Sequence, residues 1–234
     1  MSFFLLFWII DSIASIVPII VAVAFYTLAE RKFMAYLQRR VGPNVVGIYG
    51  LLQPVADGLK LIFKESIITK GSTPIIYTVA CTFPFIFGVF NWYNIPFNEF
   101  SDISNTSNLN LLYIFPISIG GLAGIVLAGW SSNSKYSTLG AYRGISQLIS
   151  YDVPMMFSIL PILLMSGSLD LVDIAVNQNN NVWFFFAGLI SFFIFSITVL
   201  AETNRVPFDL PEAEAELVAG FNVEYSSINF ALFF

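Results

Sequence analysis

The chain has 234 residues, 57% of them hydrophobic and only 11% charged, with 25 Phe, one Cys and no His. Soluble domains carry charge on about a quarter of their residues, so a mean hydropathy of +0.79 excludes a water-facing globule. The missing His removes imidazole metal ligation, Ser-His catalysis and His proton shuttling together, and Cys81 alone can neither close an intrachain disulfide nor hold an iron–sulfur cluster.

Five long apolar stretches follow in order: Phe3–Ala29, Pro74–Tyr93, Leu109–Trp130, Gly144–Met165 and Val182–Ala201. Each is close to the ~20 residues that a helix rising about 1.5 Å per residue needs to cross hydrocarbon. Helices buried in a large soluble core would give the same pattern, but five stretches of similar length argue for spans. The first lacks a basic n-region and is too long for a signal-peptide core, so it reads as a retained span. A further apolar run begins at Ile228 and stops at Phe234, the start of a sixth helix. The expected fold is an all-α, polytopic transmembrane bundle forming one membrane domain over residues 1–234.

Basic residues orient it. Arg31, Lys32, Arg39, Arg40, Lys60, Lys64 and Lys70 lie between spans one and two, Lys135 and Arg143 between three and four, and Arg205 after five. All ten Lys and Arg therefore fall on one side, while the opposite loops carry the acids Glu99, Asp102, Asp170 and Asp173. The positive-inside rule places the basic side in the cytoplasm or mitochondrial matrix and the N-terminus outside.

Three inner-side segments depart from ordinary connections. The first span runs into Ala29-Glu30-Arg31-Lys32 and on to Gln38-Arg39-Arg40, with a break at Gly42-Pro43. Charges flanking a span are by default an interfacial anchor. Next, Leu51, Leu52, Val55, Leu59, Ile62 and Phe63 recur at helical spacing opposite Gln53, Asp57, Lys60 and Lys64, with Asp57 and Lys60 spaced as a pair. Two readings fit: an amphipathic helix in the membrane interface, or one wall of a site with Asp57 and Lys60 turned inward. Third, residues 202–224 hold six carboxylates (Glu202, Asp209, Glu212, Glu214, Glu216, Glu224) and one Arg. Asp209 and Glu212 have capping-box spacing for a short helix on which Asp209, Glu212 and Glu216 share a face. Acidic runs are usually solvated loops. The interleaved Ala213, Ala215, Leu217, Val218 and Phe221 instead point to a partly buried chain of carboxylates.

Asp152 lies inside the fourth span, where an unpaired ionisable group costs at least about 2.5–3.5 kcal/mol. It reads either as a packed, hydrogen-bonded acid or as a proton-relay carboxylate. Clustered acids in a low dielectric cannot all ionise, and such groups exchange protons readily.

The stretches Ala29–Lys32, Arg40-Val41-Gly42-Pro43-Asn44, Gly50-Leu51-Leu52-Gln53-Pro54, Gly129–Tyr136, Ala201–Phe221 and Phe221-Asn222-Val223-Glu224-Tyr225 closely resemble signatures of the subunit 1 family of respiratory complex I. The resemblance runs in order along the whole chain. It implies an eight-helix subunit at the heel of an L-shaped complex, forming the entry chamber for ubiquinone. Electrons would come from an iron–sulfur cluster of a neighbour, with no flavin, cluster or metal bound by this chain alone and no catalysis by it alone. Expected partners are the peripheral-arm quinone-site and iron–sulfur subunits, the neighbouring membrane subunits and the lipid bilayer, and no nucleic acid. Relative to that family the sequence would lack roughly two and a half spans of ~20 residues.

By the same resemblance Arg31, Gln38 and Asp57 line the chamber together with Phe234, and Arg205 shapes its inner end. Asp152, Glu202, Glu212, Glu214, Glu216 and Glu224 correspond to carboxylates opening a path toward proton-pumping subunits. The family usually has Glu where Ser150-Tyr151-Asp152-Val153 has Asp152, which sets its carboxyl back by about one methylene. A related subunit of membrane-bound hydrogenases is the alternative, although those relatives match less well from Arg31 to Lys60. A free-standing transporter would call for inverted repeats or paired broken helices, and the sequence has no internal repeat. Phe, Ile and Asn richness fits an AT-rich organellar genome, placing the chain in the mitochondrial inner membrane, with a bacterial plasma membrane as the alternative. Cysteines placed at Glu65 and Lys135 should label only from the basic side and one at Glu99 only from the other. Labelling of Lys135 and Glu99 from the same face contradicts the five-span topology.

Overall fold

The computed structural model describes residues 2–95, 109–180, 183–211 and 214–233, with 2–15, 93, 214 and 215 described by backbone alone. Among these residues the regular elements are helical: α1 (Ser2–Leu37), α2 (Gln53–Phe63), α3 (Pro74–Tyr93), α4 (Asn110–Ser131), α5 (Lys135–Ser166), α6 (Leu171–Asn180), α7 (Phe184–Ala187), α8 (Leu189–Glu202), α9 (Glu214–Leu217) and α10 (Ile228–Ala231). Helices α3, α4 and α5 are long and apolar enough to cross a membrane, and α8 is apolar but shorter. Large side chains such as Ile75, Phe157, Leu164 and Ile190 point outward, while Ala80, Cys81, Ala128, Ala141 and Ala201 fill the interior. Lipid supplies no hydrophobic drive between helices, so small residues at helix contacts allow the close approach that holds them. The protein is a polytopic helical membrane protein.

The chain divides into two compact units, residues 1–66 with 226–231 and residues 67–225 with 232–234. In the first, α1 carries its charged end as helix through Leu37, so the helix stops before the Gly42-Pro43 that the sequence marks as the break. A short 3-10 turn, Ile48–Gly50, leads into α2, whose N-terminal turn contains Pro54. A helix end leaves carbonyls without partners, and here the Ser227 hydroxyl donates to the carbonyls of Leu61 at 3.1 Å and Lys64 at 2.7 Å.

In the second unit α4 packs along α3 and against α5, which in turn packs along α8. At Gly124 an added Cβ would come within 2.4 Å of Pro84 Cδ, so α3 and α4 meet closely. The fourth span begins at Lys135, earlier than the Gly144 expected from hydropathy. The Ser134 hydroxyl caps it by accepting from the Ser137 amide at 3.2 Å, which makes Lys135 to Arg143 helix rather than loop. Gly167, at φ +69, closes α5 with its amide on the Leu163 carbonyl at 2.8 Å. Asp170 is a structural acid, its Oδ1 accepting from the Val172 amide and from Asn110 Nδ2, each at 3.1 Å. The fifth span is broken: Gly188 separates α7 from α8.

Beyond α8 the chain folds back onto α5. Among the described residues of the acidic segment, Glu214–Leu217 forms an α-helix one turn long, and Asp209 lies in irregular chain before it. The shared face expected for Asp209, Glu212 and Glu216 therefore does not form from Asp209, and Glu212 lies outside the described residues. Pro211, fully buried, sets its ring near Gly144. A 3-10 turn at Gly220–Asn222 then seats on α5, and the Ser137 hydroxyl donates to the Phe221 carbonyl at 3.2 Å. The seat depends on Gly140, where a Cβ would meet Gly220 Cα and the Phe221 nitrogen at 2.7 Å. Gly140→Val should cost about 1–3 kcal/mol through overpacking, read as a lower melting temperature in detergent. A wild-type melting temperature contradicts this close approach.

Candidate functional site

The first cluster lies in the first unit, where the charged end of α1 faces α2. Arg31 Nη1 donates to Asp57 Oδ2 at 2.8 Å, and Gln53 Nε2 donates to Asp57 Oδ1 at 3.0 Å. Asp57 thus turns to Arg31 and Gln53, not to the Lys60 that helical spacing offers. The Lys32 ammonium donates to the Tyr49 carbonyl, tying the 3-10 turn back to α1. Tyr49 has φ 53, and Gly50 at φ +73 sits where a Cβ would strike the Pro43 carbonyl. Lys32 therefore fixes a bend that only a residue without a side chain completes. Gln38, just past α1, is exposed and accepts from Arg40 Nε at 2.7 Å.

The Arg31 and Asp57 side chains are 58% and 39% exposed. An exposed ion pair contributes about 0–1 kcal/mol, so fold stability does not account for this one. It presents a guanidinium and a carboxylate, fixed by Gln53, on the polar face of α2, whose opposite face carries the exposed Val55, Leu59 and Ile62.

The second cluster lies in the second unit, around the end of α8. Asp152 of α5 and Glu202 at the end of α8 lie close enough for their carboxyls to interact. Two carboxyls in such proximity cannot both ionise without cost. Both are partly enclosed, and Glu202 Oε2 is buried with no hydrogen-bond partner among the described residues. Tyr151, beside Asp152 in sequence, meets Phe208 edge-on at 5.4 Å. Arg205 is half-buried in the turn after α8, its amide bonded to the Leu200 carbonyl at 3.2 Å.

Glu216 is exposed and accepts from Arg143 Nη1 at 2.5 Å. No spacing rule joins these two residues, which lie 73 positions apart. Glu214 opens α9. Glu224 is half-buried; its carbonyl accepts the Tyr77 hydroxyl at 2.6 Å. The next residue, Tyr225, stacks on Tyr77 with ring centroids 4.2 Å apart. The Tyr225 hydroxyl meets Ser131 Oγ at 3.1 Å and donates to the Ala128 carbonyl at 3.3 Å. Burial pushes that phenol above its ordinary range, so it remains a donor. Phe234 and Glu212 lie outside the described residues.

The residues singled out in the sequence therefore separate into two groups, Arg31 with Asp57 and Asp152 with Glu202. Gln147, Tyr77, Tyr225 and Arg143 join the second neighbourhood without having been singled out. Of these only Gln147, a polar residue within a span and five positions before Asp152, left a signal. Tyrosines near the membrane interface are ordinary. Among the described residues no group of three or more His, Cys, Asp or Glu side chains could hold a metal ion.

A family model described as NADH dehydrogenase matches residues 10–234. The chain is 51% identical over 234 residues to NADH-ubiquinone oxidoreductase chain 1 of Chondrus crispus, covering 99% of this chain and 70% of that protein. It is 50% identical over 222 residues to the chain 1 protein of Triticum aestivum, covering 94% of this chain and 67% of the relative. Against an NADH-quinone oxidoreductase subunit of Rhodospirillum rubrum it is 47% identical over 226 residues, covering 97% of this chain and 67% of the relative.

Proposed function

The chain belongs to the NADH dehydrogenase family, and from that premise we propose that it is a core membrane subunit of NADH–quinone oxidoreductase that houses quinone chemistry performed with its partners. Its relatives carry the names of ubiquinone and quinone oxidoreductase subunits in eukaryotes and bacteria. The substrate in this reading is ubiquinone, and the setting is an energy-converting inner membrane, mitochondrial on the compositional argument. The other subunits of the enzyme supply the redox centres.

Two tasks fall to this chain. The first is to guide the quinone. Arg31, Gln38 and Asp57 line part of the entry chamber. The second is to pass on the charge change. Reducing a quinone to quinol takes two electrons and two protons, so the carboxyls nearest it feel a proton demand. Asp152 and Glu202 receive that demand as a redistribution of a proton between them, and Glu212, Glu214, Glu216 and Glu224 continue the path.

The observation that carries the chamber is the 2.8 Å Arg31–Asp57 pair, held by Gln53 on the polar face of an amphipathic helix. A polar quinone headgroup with an apolar tail calls for both fixed polar groups and apolar surface. An interfacial helix would orient its charges toward headgroups, with no need to lock one of them by two donors.

Asp57→Asn and Arg31→Ala in the assembled enzyme should each lower quinone reductase activity by about tenfold or more, since a lost charge-assisted hydrogen bond is worth about 1.5–3 kcal/mol. Electron transfer from NADH to a water-soluble artificial acceptor should stay near wild type, because that acceptor reacts outside the membrane. A parallel fall of both activities with normal assembly contradicts the chamber.

A further inference from the structure

Gln147 is buried in α5, only 6% exposed. Its Nε2 faces three acceptors: the Ala201 carbonyl at 3.0 Å, Asn204 Oδ1 at 3.2 Å and the Phe208 carbonyl at 2.8 Å. A side-chain amide has two N–H hydrogens, so three acceptors share two donors. All three belong to one segment, the end of α8 and the turn that follows it. The other end of the amide, Oε1, is buried with no hydrogen-bond partner among the described residues. Turning the amide over would set its oxygen against three oxygens, so the neighbours fix its orientation.

Leaving Oε1 unpaired is destabilising. A Leu or Met would fill the same space without that cost, so packing does not explain the residue. What it does is aim two donors at residues 201–208. These acceptors bracket Glu202: Ala201 precedes it, and Asn204 and Phe208 follow. Asn204 sits at φ 51, a left-handed turn that its own side chain helps to anchor through Gln147. The Glu202 carboxyl meets Asp152, which lies five residues beyond Gln147 on α5. Helix α5 thus holds Glu202 at two points, by its backbone through Gln147 and by its carboxyl through Asp152.

We infer that Gln147 is the positioning residue that sets the Glu202 carboxyl against Asp152, and that it thereby governs proton exchange between them during quinone turnover. The inference rests on the proton-path reading of those two acids. It differs from a packing role because the donors, not the volume, carry the effect.

Gln147→Met keeps length and volume and removes the donors. In the assembled enzyme it should lower kcat for quinone reduction by about tenfold, as expected when reacting groups are misplaced by up to about 1 Å. KM for quinone should hold within about twofold, because substrate binding is untouched. Asn204→Gly removes one acceptor while tolerating the positive φ, and should lower kcat in the same direction by a smaller factor; it decides the matter if Gln147→Met fails to assemble. Added to Glu202→Gln, Gln147→Met should have no further effect on kcat. A wild-type kcat in assembled Gln147→Met or Asn204→Gly enzyme, with Glu202→Gln impaired, overturns the positioning role alone. A wild-type kcat in Glu202→Gln overturns the proton-path reading and this inference with it.

Discussion

An ionisable group inside a low-dielectric helix bundle must find a partner, and in this chain Asp152 finds Glu202. That requirement organises the second unit. Glu202 ends α8, which packs along α5, so the two carboxyls meet at that helix contact, and the chain leaving α8 then folds back along α5. Three places on the described return path are met by a side chain from the helices. Gln147 serves residues 201–208, Ser137 serves Phe221, and Tyr77 serves Glu224. Gly140 and Gly144 carry no side chain, so Gly220 and Pro211 can approach. The acidic segment is thus a built part of the fold, not a solvated loop.

The first unit solves a smaller problem by the same means. The end of α1 carries charge, and a basic anchor would leave it facing headgroups. Here Lys32 closes on the Tyr49 carbonyl and Arg31 on Asp57, so two of its charges secure the α1–α2 connection. Because the Arg31–Asp57 pair is largely exposed, its energy is small. Its contribution is geometric: a cation and an anion held in fixed positions on the polar face of an amphipathic helix. Under the proposed function that geometry would serve specificity toward a substrate with a polar head and a long apolar tail.

Much of this was legible in the sequence. The second apolar stretch, Pro74–Tyr93, coincides with α3, and the third and fourth match α4 and part of α5, because hydropathy over ~20 residues is a strong physical signal. Boundaries failed where local chemistry overrides hydropathy. Ser134 starts α5 among polar residues that no apolar window includes, and Gly188 breaks a stretch that is apolar throughout. Helical spacing misassigned Asp57 to Lys60 because the preferred partner, Arg31, lies 26 positions away. The acids themselves stood out as charges in apolar surroundings. Their supports did not: Tyr77 and Arg143 are ordinary until the fold brings Glu224 and Glu216 to them.

Under the proposed function this chain converts quinone chemistry into proton movement through Asp152. Proton translocation per quinone reduced, measured in sealed vesicles beside assembly on a native gel, tests it most directly. Asp152→Asn enzyme should assemble normally yet lose most of its quinone-dependent turnover and pumping together, while Asp152→Glu should retain both because a titratable carboxyl is kept. Full pumping by an assembled Asp152→Asn enzyme contradicts the account and leaves that acid a role in packing alone.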